Sequence, residues 1–518
     1  MPQLPASPAP ALDALIEPPA ASPAAALAAN GRFASGGSLR ERAARGSLVS
    51  TAFLIGLSGL GLLKSFILAG FLTRADYGVW GVLVASLGMI VWLKQVGIGD
   101  KYIQQDDEDQ ELAFQRAFTL ELIVTGAIVV LMLVAIPIIV LVYDLPQIVV
   151  PGLLVAGTLM VSALQAPLWI FYRRMQFARQ RAIQAVDPAV GFVVSIVLAV
   201  AGAGYWAFVV GFVAGVCASA AVGVLCSPFA LRLRFERRTL RSYVAFSWPL
   251  LVAGGSSLVM VQSAVFVTQT HLGLAATGVI ALAGSISSFT DRVDELVTGT
   301  LYPAICAIQD RAALLHESFV KSNRLALMWA VPFGIALTLF CSDLVGFGIG
   351  ERWRPAVGVL EIYGVTAAVN HIGFNWTAYL RARSQTRPIA VANAAAAAAF
   401  LLVGIPLLLR FGLLGFAWGI AIQGLVALAF RAWYLQRLFQ GFGFLRHALR
   451  SFLPTLPAAA IVLGLRAVEQ GHRTVGVAVA ELAVYALVTV AATWTFESDL
   501  LREAAGYLTA GRPARQGA

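Results

Sequence analysis

Hydrophobic residues fall along this chain in long, nearly unbroken blocks, not at the alternating spacing of a strand or on one face of a surface helix. Roughly fourteen blocks occur, each near the ~20 residues a helix needs to cross a bilayer. Short polar segments separate them. The pattern predicts an all-α, polytopic membrane protein. The first spans are expected near residues 47–72, 78–98, 148–172, 183–200 and 205–226, with span 3 ending near Val142 and containing Pro137. The next six centre near Val259, Ser285, Val331, Val369, Leu401 and Ile422, and a final two near Ala460 and Tyr485. This divides the chain into a disordered tail over 1–45, six-helix lobes over 46–228 and 242–440, a helix pair over 449–497 and a tail over 498–518.

The two lobes repeat each other at offsets of 200 to 211 positions. Ala75-Asp76-Tyr77-Gly78-Val79 before span 2 matches Ala275-Ala276-Thr277-Gly278-Val279 before span 8. Span 4 ends Trp169-Ile170-Phe171-Tyr172-Arg173-Arg174, and span 10 ends Trp376-Thr377-Ala378-Tyr379-Leu380-Arg381. Span 6 opens Gly204-Tyr205-Trp206-Ala207, and span 12 opens Gly415-Phe416-Ala417-Trp418. An even number of helices per repeat keeps the two halves in the same orientation, related by an axis along the membrane normal. Such duplications build paths with alternating access.

Composition agrees. Only 12% of residues are charged and 59% are hydrophobic, against roughly 25% charged in a soluble domain; mean hydropathy is +0.80. The net charge of +10 follows membrane topology and does not point to nucleic acid. Basic residues cluster in every second loop: Arg173, Arg174, Arg179 and Arg181; Arg232, Arg234, Arg237, Arg238 and Arg241; Arg381, Arg383 and Arg387; Arg437, Arg446 and Arg450. The positive-inside rule places these loops and both termini in the cytoplasm. Arg352 and Arg354 are the exception. Residues 1–45 lack a basic start followed by an apolar core, so no secretory signal is read there. Cys217, Cys226, Cys306 and Cys341 lie in or beside apolar blocks without metal-ligand spacing and read as small core residues. No motif for a cofactor, metal or catalytic nucleophile is found.

The stretch Leu72-Thr73-Arg74-Ala75-Asp76-Tyr77-Gly78-Val79-Trp80 resembles the first periplasmic turn of bacterial polysaccharide exporters. So do Gln95-Val96-Gly97-Ile98 with Ile103-Gln104-Gln105-Asp106-Asp107, Tyr302-Pro303-Ala304-Ile305 with Gln309-Asp310, and Gly350-Glu351-Arg352-Trp353-Arg354-Pro355-Ala356. The family is the polysaccharide and oligosaccharide flippase branch of the multidrug/oligosaccharidyl-lipid/polysaccharide exporter superfamily. Its members often carry Ala-Arg-x-Leu where this chain has Ala69-Gly70-Phe71-Leu72. The resemblance implies two six-helix lobes around a central cavity in a bacterial cytoplasmic membrane. It implies a monomer that carries an undecaprenyl-pyrophosphate-linked oligosaccharide to the periplasmic leaflet, working beside a polysaccharide polymerase and a chain-length regulator, for exopolysaccharide, capsule or O-antigen.

A pyrophosphate in low dielectric needs cations, and a charge deep in a span is a functional candidate by default. Arg292, Lys64 and Lys94 are the candidate substrate contacts. Asp291, Asp294 and Glu295, which share a face with i, i+3, i+4 spacing, and the lone carboxylates Glu121 and Glu361 are the candidates for ion coupling. Glu481 falls outside both lobes and reads as structural or as part of a lipid groove. Trp353 and Trp376 read as interface anchors. The competing functions are a multidrug or ion antiporter of the same superfamily and a membrane polysaccharide polymerase. The longest outward loop, near 346–356, is too short for the catalytic domain a polymerase carries.

Overall fold

In the computed structural model, residues 39–509 are described, except 93, 95–97, 105–108, 175, 237–254, 288, 291–300, 302–304, 307, 309, 384, 386, 440 and 470–472. Among the described residues there are helices and no strands, and Gly46–Ala518 forms one compact unit. The first-half helices are α1 (Leu39–Phe71), α2 (Arg74–Trp92), α3 (Ile98–Gln104), α4 (Gln110–Tyr143), α5 (Val149–Ser162), α6 (Pro167–Arg173), α7 (Phe177–Val200) and α8 (Trp206–Leu225). The second half holds α9 (Gly255–Leu272), α10 (Leu274–Ser287), α11 (Ala312–Asp343), α12 (Val357–Asn370), α13 (Trp376–Ala382), α14 (Arg387–Ala399) and α15 (Ile405–Leu438). The chain closes with α16 (Phe444–Phe452), α17 (Leu456–Val468) and α18 (Val475–Thr509). The tail expected over 1–45 lies outside the described residues up to the start of α1. The last helix runs past Glu497, where its backbone breaks, to Thr509.

A helix lies at every stretch predicted to span. Among the described residues, eight helical runs are long and apolar enough to cross a bilayer, or nine if the bent pair α16–α17 is one span. One of the eight, Arg387–Leu438, folds back on itself. It turns at Gly412, whose φ of 63° is left-handed and suits glycine. Beyond the turn Gly404 abuts Gly419, and Gly415 sits over the Leu407 carbonyl.

Hydrocarbon dictates these helices, because a spanning backbone must satisfy its own N–H and C=O groups. In α4, Asp109 caps the start by accepting from Leu112 N at 3.0 Å, and Asp144 ends the helix at φ 51°. Ile128, Met132, Ile136 and Tyr143 pack inward, while Val130, Val134, Ile138 and Leu141 lie on the outside, Leu141 at 82% exposure. Water would not tolerate that outer stripe, but lipid does.

The halves meet where the sequence repeats. The start of α2 crosses the start of α10, and the matched glycines Gly78 and Gly278 form the contact. A Cβ on Gly78 would lie 2.1 Å from the Leu274 carbonyl oxygen, and one on Gly278 would lie 1.8 Å from that of Arg74. A second clamp lies beside it. The loop after α11 donates Trp353 Nε1 to Ala69 O at 2.8 Å and Arg352 Nη2 to Ala69 O at 2.9 Å and to Gly70 O. Arg352, the exception to the charge pattern, thus covers carbonyls left open at the end of α1. Trp353 and Trp376 are buried among protein side chains and are not interface anchors. The Trp353 indole is drawn inward by its hydrogen bond and by Tyr77, whose ring meets it edge-on at 5.0 Å.

The final helix pair is pinned to α11 by charge. Arg466 reaches Asp343 Oδ2 and Glu481 Oε2, each at 3.1 Å, and Arg473 reaches Glu481 Oε2 at 2.8 Å. Hydrogen bonds to Asp343 and Glu481 push the Arg473 guanidinium above its ordinary value, so the network keeps its charge. Glu481 is thereby held between Arg466 and Arg473.

The glycine crossing is testable. Gly278→Ala should destabilise the protein by about 1–3 kcal/mol or more through overpacking, while Gly157→Ala, whose Cβ would meet nothing within 4 Å, should leave it unchanged. Thermal unfolding in detergent separates the two, and equal curves would disprove the close contact.

Candidate functional site

A cavity of about 600 Å³ lies between the halves, beneath the glycine crossing. It is lined by α1, α2, α7 and α8 of the first half and by α9 and α10 of the second. Tyr77 forms part of its closed end, donating its hydroxyl to Ser65 O at 2.8 Å and meeting Phe208 edge-on at 4.8 Å. Trp80 and Phe208 stack at 5.4 Å, nearly parallel, as an aromatic wall. Most of the lining is apolar or small.

Among the described residues two charges enter this space. Lys64 projects from α1 and Asp187 from α7. Each is the opposite charge that acts on the other. The wall behind them is bared by glycine: a Cβ on Gly191 would come within 3.9 Å of Lys64 Nζ, and one on Gly215 within 2.4 Å of Asp187 Oδ1. Glycine here leaves room for a long cation and a carboxylate where two helices pack closely. Behind the lining, the buried Ser195 hydroxyl has no hydrogen-bond partner among the described residues.

The other sequence candidates fall elsewhere. Lys94 and Glu121 do not line the cavity. They form an ion pair at 3.1 Å with side-chain exposures of 17% and 9%, and Lys94 also donates to Ser162 Oγ at 2.9 Å. Glu121 is thus not a lone carboxylate, because folding brings α2 beside α4. Glu361 is exposed on α12, away from the cavity lining. Arg292, Asp291, Asp294 and Glu295 lie outside the described residues. Asp187, Trp80 and Phe208 escaped the sequence reading. For Asp187 the available signal was a carboxylate inside predicted span 5, 183–200, masked by its nearness to the start of that span.

Spans 4 and 10 are broken at matching places. In the first half a 3-10 turn, Ala163–Gln165, and Pro167 separate α5 from α6, next to the Lys94–Ser162 contact. In the second half the chain unwinds between α12 and α13, with Gly373 at φ 69°. There Arg431 donates to Ile372 O at 2.8 Å and to Asn370 O. Asn323 donates to His371 O and accepts from Gly373 N, both at 3.0 Å. Discontinuous helices are a common feature of transporter sites, tolerated where protein satisfies the freed backbone.

Residues 67–358 match the model of the polysaccharide biosynthesis protein family, and the chain belongs to that family. The succinoglycan biosynthesis transport protein ExoT of Rhizobium meliloti (strain 1021) is 19% identical over 201 residues, 39% of this chain and 41% of the relative. That match therefore spans less than half of ExoT. The lipopolysaccharide biosynthesis protein WzxC of Escherichia coli (strain K12) is 21% identical over 348 residues, 65% of this chain and 69% of WzxC. Among solved structures, the lipid II flippase MurJ in an inward closed conformation matches with a TM-score of 0.65 at 13% identity, covering 88% of this chain and 99% of MurJ. An inward-facing multidrug resistance MATE family transporter of the MOP superfamily matches with a TM-score of 0.57 at 13% identity, covering 76% of this chain and 98% of that one. At such identity the structures establish the fold, an all-helical architecture shared with those proteins, and neither the role nor the cargo.

The Lys94–Glu121 pair has a direct test. Lys94→Met alone leaves a buried carboxylate unpaired and should cost about 3–5 kcal/mol. Adding Glu121→Met should recover most of that loss. A double-mutant cycle on unfolding in detergent reads the coupling, and additive effects would show that the two charges are independent.

Proposed function

We propose that this chain moves a lipid-linked oligosaccharide bearing a pyrophosphate across the membrane, by exposing the cavity between its halves to one side and then the other. The observation that carries this reading is Lys64, a cation facing a ligand-sized cavity that the halves close at one end. Ligand cavities run about 300–1,000 Å³, so the present volume suits a pyrophosphate and its first sugars, and a longer oligosaccharide requires the halves to part. The names of ExoT and WzxC, transport in succinoglycan biosynthesis and lipopolysaccharide biosynthesis, support a polysaccharide precursor as cargo. The work is transport, with no bond made or broken in the cargo.

The lobes are 46–228 and 242–440, and the arginine-rich loops read as cytoplasmic. The end closed by Gly78, Gly278 and Trp353 then faces the periplasm of a bacterial cytoplasmic membrane, with both termini inside. In the empty cavity Asp187 offsets the charge of Lys64, which limits the cost of holding an ammonium in low dielectric. An arriving pyrophosphate offers a stronger acceptor, takes over Lys64 and leaves the carboxylate as a like charge. That exchange binds the cargo loosely enough to release it. Trp80 and Phe208 offer a face on which a sugar ring or an isoprenoid unit rests. Arg292 is a second phosphate contact in this scheme, and Asp291, Asp294, Glu295 and Glu361 are carboxylates for ion coupling. The chain works as a monomer beside a polymerase and a chain-length regulator. The largely apolar lining favours a second reading, a multidrug or ion antiporter, in which Asp187 would be essential and Lys64 dispensable.

Lys64→Gln removes one charge-assisted hydrogen bond, a loss of about 1.5–3 kcal/mol, so transport should fall roughly 10- to 100-fold. In a depletion strain, complete lipid-linked repeat units should accumulate beyond reach of periplasmic reagents, as read by mass spectrometry of lipid extracts. Wild-type gene should clear them and the Lys64→Gln gene should not. Full rescue by Lys64→Gln would sink the proposal, and the absence of any accumulation on depletion would select the antiporter reading.

A further inference from the structure

The nine residues of α16 form a short helix between α15 and α17, bent by 49° from α17. Its residues sort into three stripes. Phe444, Ala448 and Phe452 pack onto the cluster of Leu327, Val331, Ala368 and Ile372. Leu445 and Leu449, one turn apart, face outward at 70% and 65% exposure, and Leu453 continues their line past the end of the helix. Arg446 and Arg450, also one turn apart, form the adjacent exposed stripe.

This sorting fits a helix lying at the edge of the hydrocarbon, with leucines in the acyl layer and arginines at headgroup depth. Among the described residues the charge of the two arginines is matched only in part. Among the described residues no carboxylate pairs with Arg446. Arg450 reaches Glu497 only at 4.0 Å, its side chain 56% exposed, and Glu497 is already held by Arg324. Two guanidiniums one turn apart, above exposed leucines, complement a phosphodiester that carries its own acyl chains.

The helix is also wired to the interior. His447 is buried on the protein side, and its Nε2 lies 2.7 Å from Asn323 Oδ1. That oxygen also accepts from Gly373 N, and Asn323 Nδ2 donates to His371 O. Asn323 Oδ1 can only accept, so His447 Nε2 carries the proton. A pull on α16 therefore reaches the break between α12 and α13 through a single side chain.

We propose that α16 is a binding site for an anionic phospholipid of the surrounding leaflet, with Arg446 and Arg450 on its phosphate, and that its occupancy steadies the break in span 10 through His447 and Asn323. The bound lipid is part of the membrane and is not the cargo. The site stands independently of the transport reaction, because binding is measured without it.

The test is native mass spectrometry of the full chain released from bilayers of phosphatidylethanolamine and phosphatidylglycerol, with undecaprenyl phosphate added in a separate arm. Each basic residue near an anionic surface is worth about fivefold in binding. Arg446→Gln/Arg450→Gln should therefore lower retention of phosphatidylglycerol roughly 25-fold, with phosphatidylethanolamine unchanged. Arg381→Gln/Arg383→Gln, removing the same charge from another loop, should leave it unchanged. Arg446→Lys/Arg450→Lys should retain most of the binding, and a thermal melt confirms that each variant is folded. Equal loss in the Arg381/Arg383 control would reduce the effect to net charge and overturn the proposal. Unchanged phosphatidylglycerol binding would overturn it too. Loss confined to undecaprenyl phosphate would assign the surface to the cargo instead.

Discussion

Hydrocarbon offers the peptide backbone nothing to hydrogen-bond with, and the architecture answers to that one deficit. Every long described segment is helical because only a helix satisfies its own N–H and C=O groups along a span. Where a helix stops inside the protein, something else supplies the missing partner. Arg352 and Trp353 reach the last carbonyls of α1. Arg431 and Asn323 serve the unwound segment between α12 and α13. These contacts join elements from distant parts of the sequence, so the need to satisfy backbone at breaks also ties the molecule together.

The same scarcity sorts the charges. Lys94 is paired with Glu121, and Asp343 and Glu481 with Arg466 and Arg473. Such pairs stand close to break-even against apolar packing, but losing one member is costly. They place elements and leave little freedom to act on a ligand. Lys64 and Asp187 differ because both open onto a cavity. A charge that folding leaves facing empty space is available to a ligand, and this contrast separates them from the other buried charges.

The duplication is structural at the crossing of Gly78 and Gly278 and again at the paired breaks in spans 4 and 10. It is not functional throughout. At the same offset that relates the glycines, Ala264 stands opposite Lys64 and Ala276 opposite Asp76. Asp76 accepts from Tyr205 N at 2.9 Å and from Thr73 N at 2.9 Å, tying α2 to the start of α8. Alanine makes no such tie. Among the described residues, the charges that line the cavity, Lys64 and Asp187, both come from the first half.

The run of apolar helices, the matched turns at Gly78 and Gly278, and Lys64 as a charge within them were legible in the sequence, because each is written locally: a block of apolar residues, a repeated turn, one ammonium in a greasy helix. What those helices face was not. A helix apolar on all sides carries no moment to say which stripe meets lipid and which meets protein. So the meeting of Glu121 with Lys94, the burial of Trp353, the opening of Asp187 onto the cavity and the three-way sorting of α16 were decided only when the helices packed. Composition determined that this chain lies in a membrane, and tertiary structure decided which of its few charges remain available to a ligand, because availability is what packing leaves over.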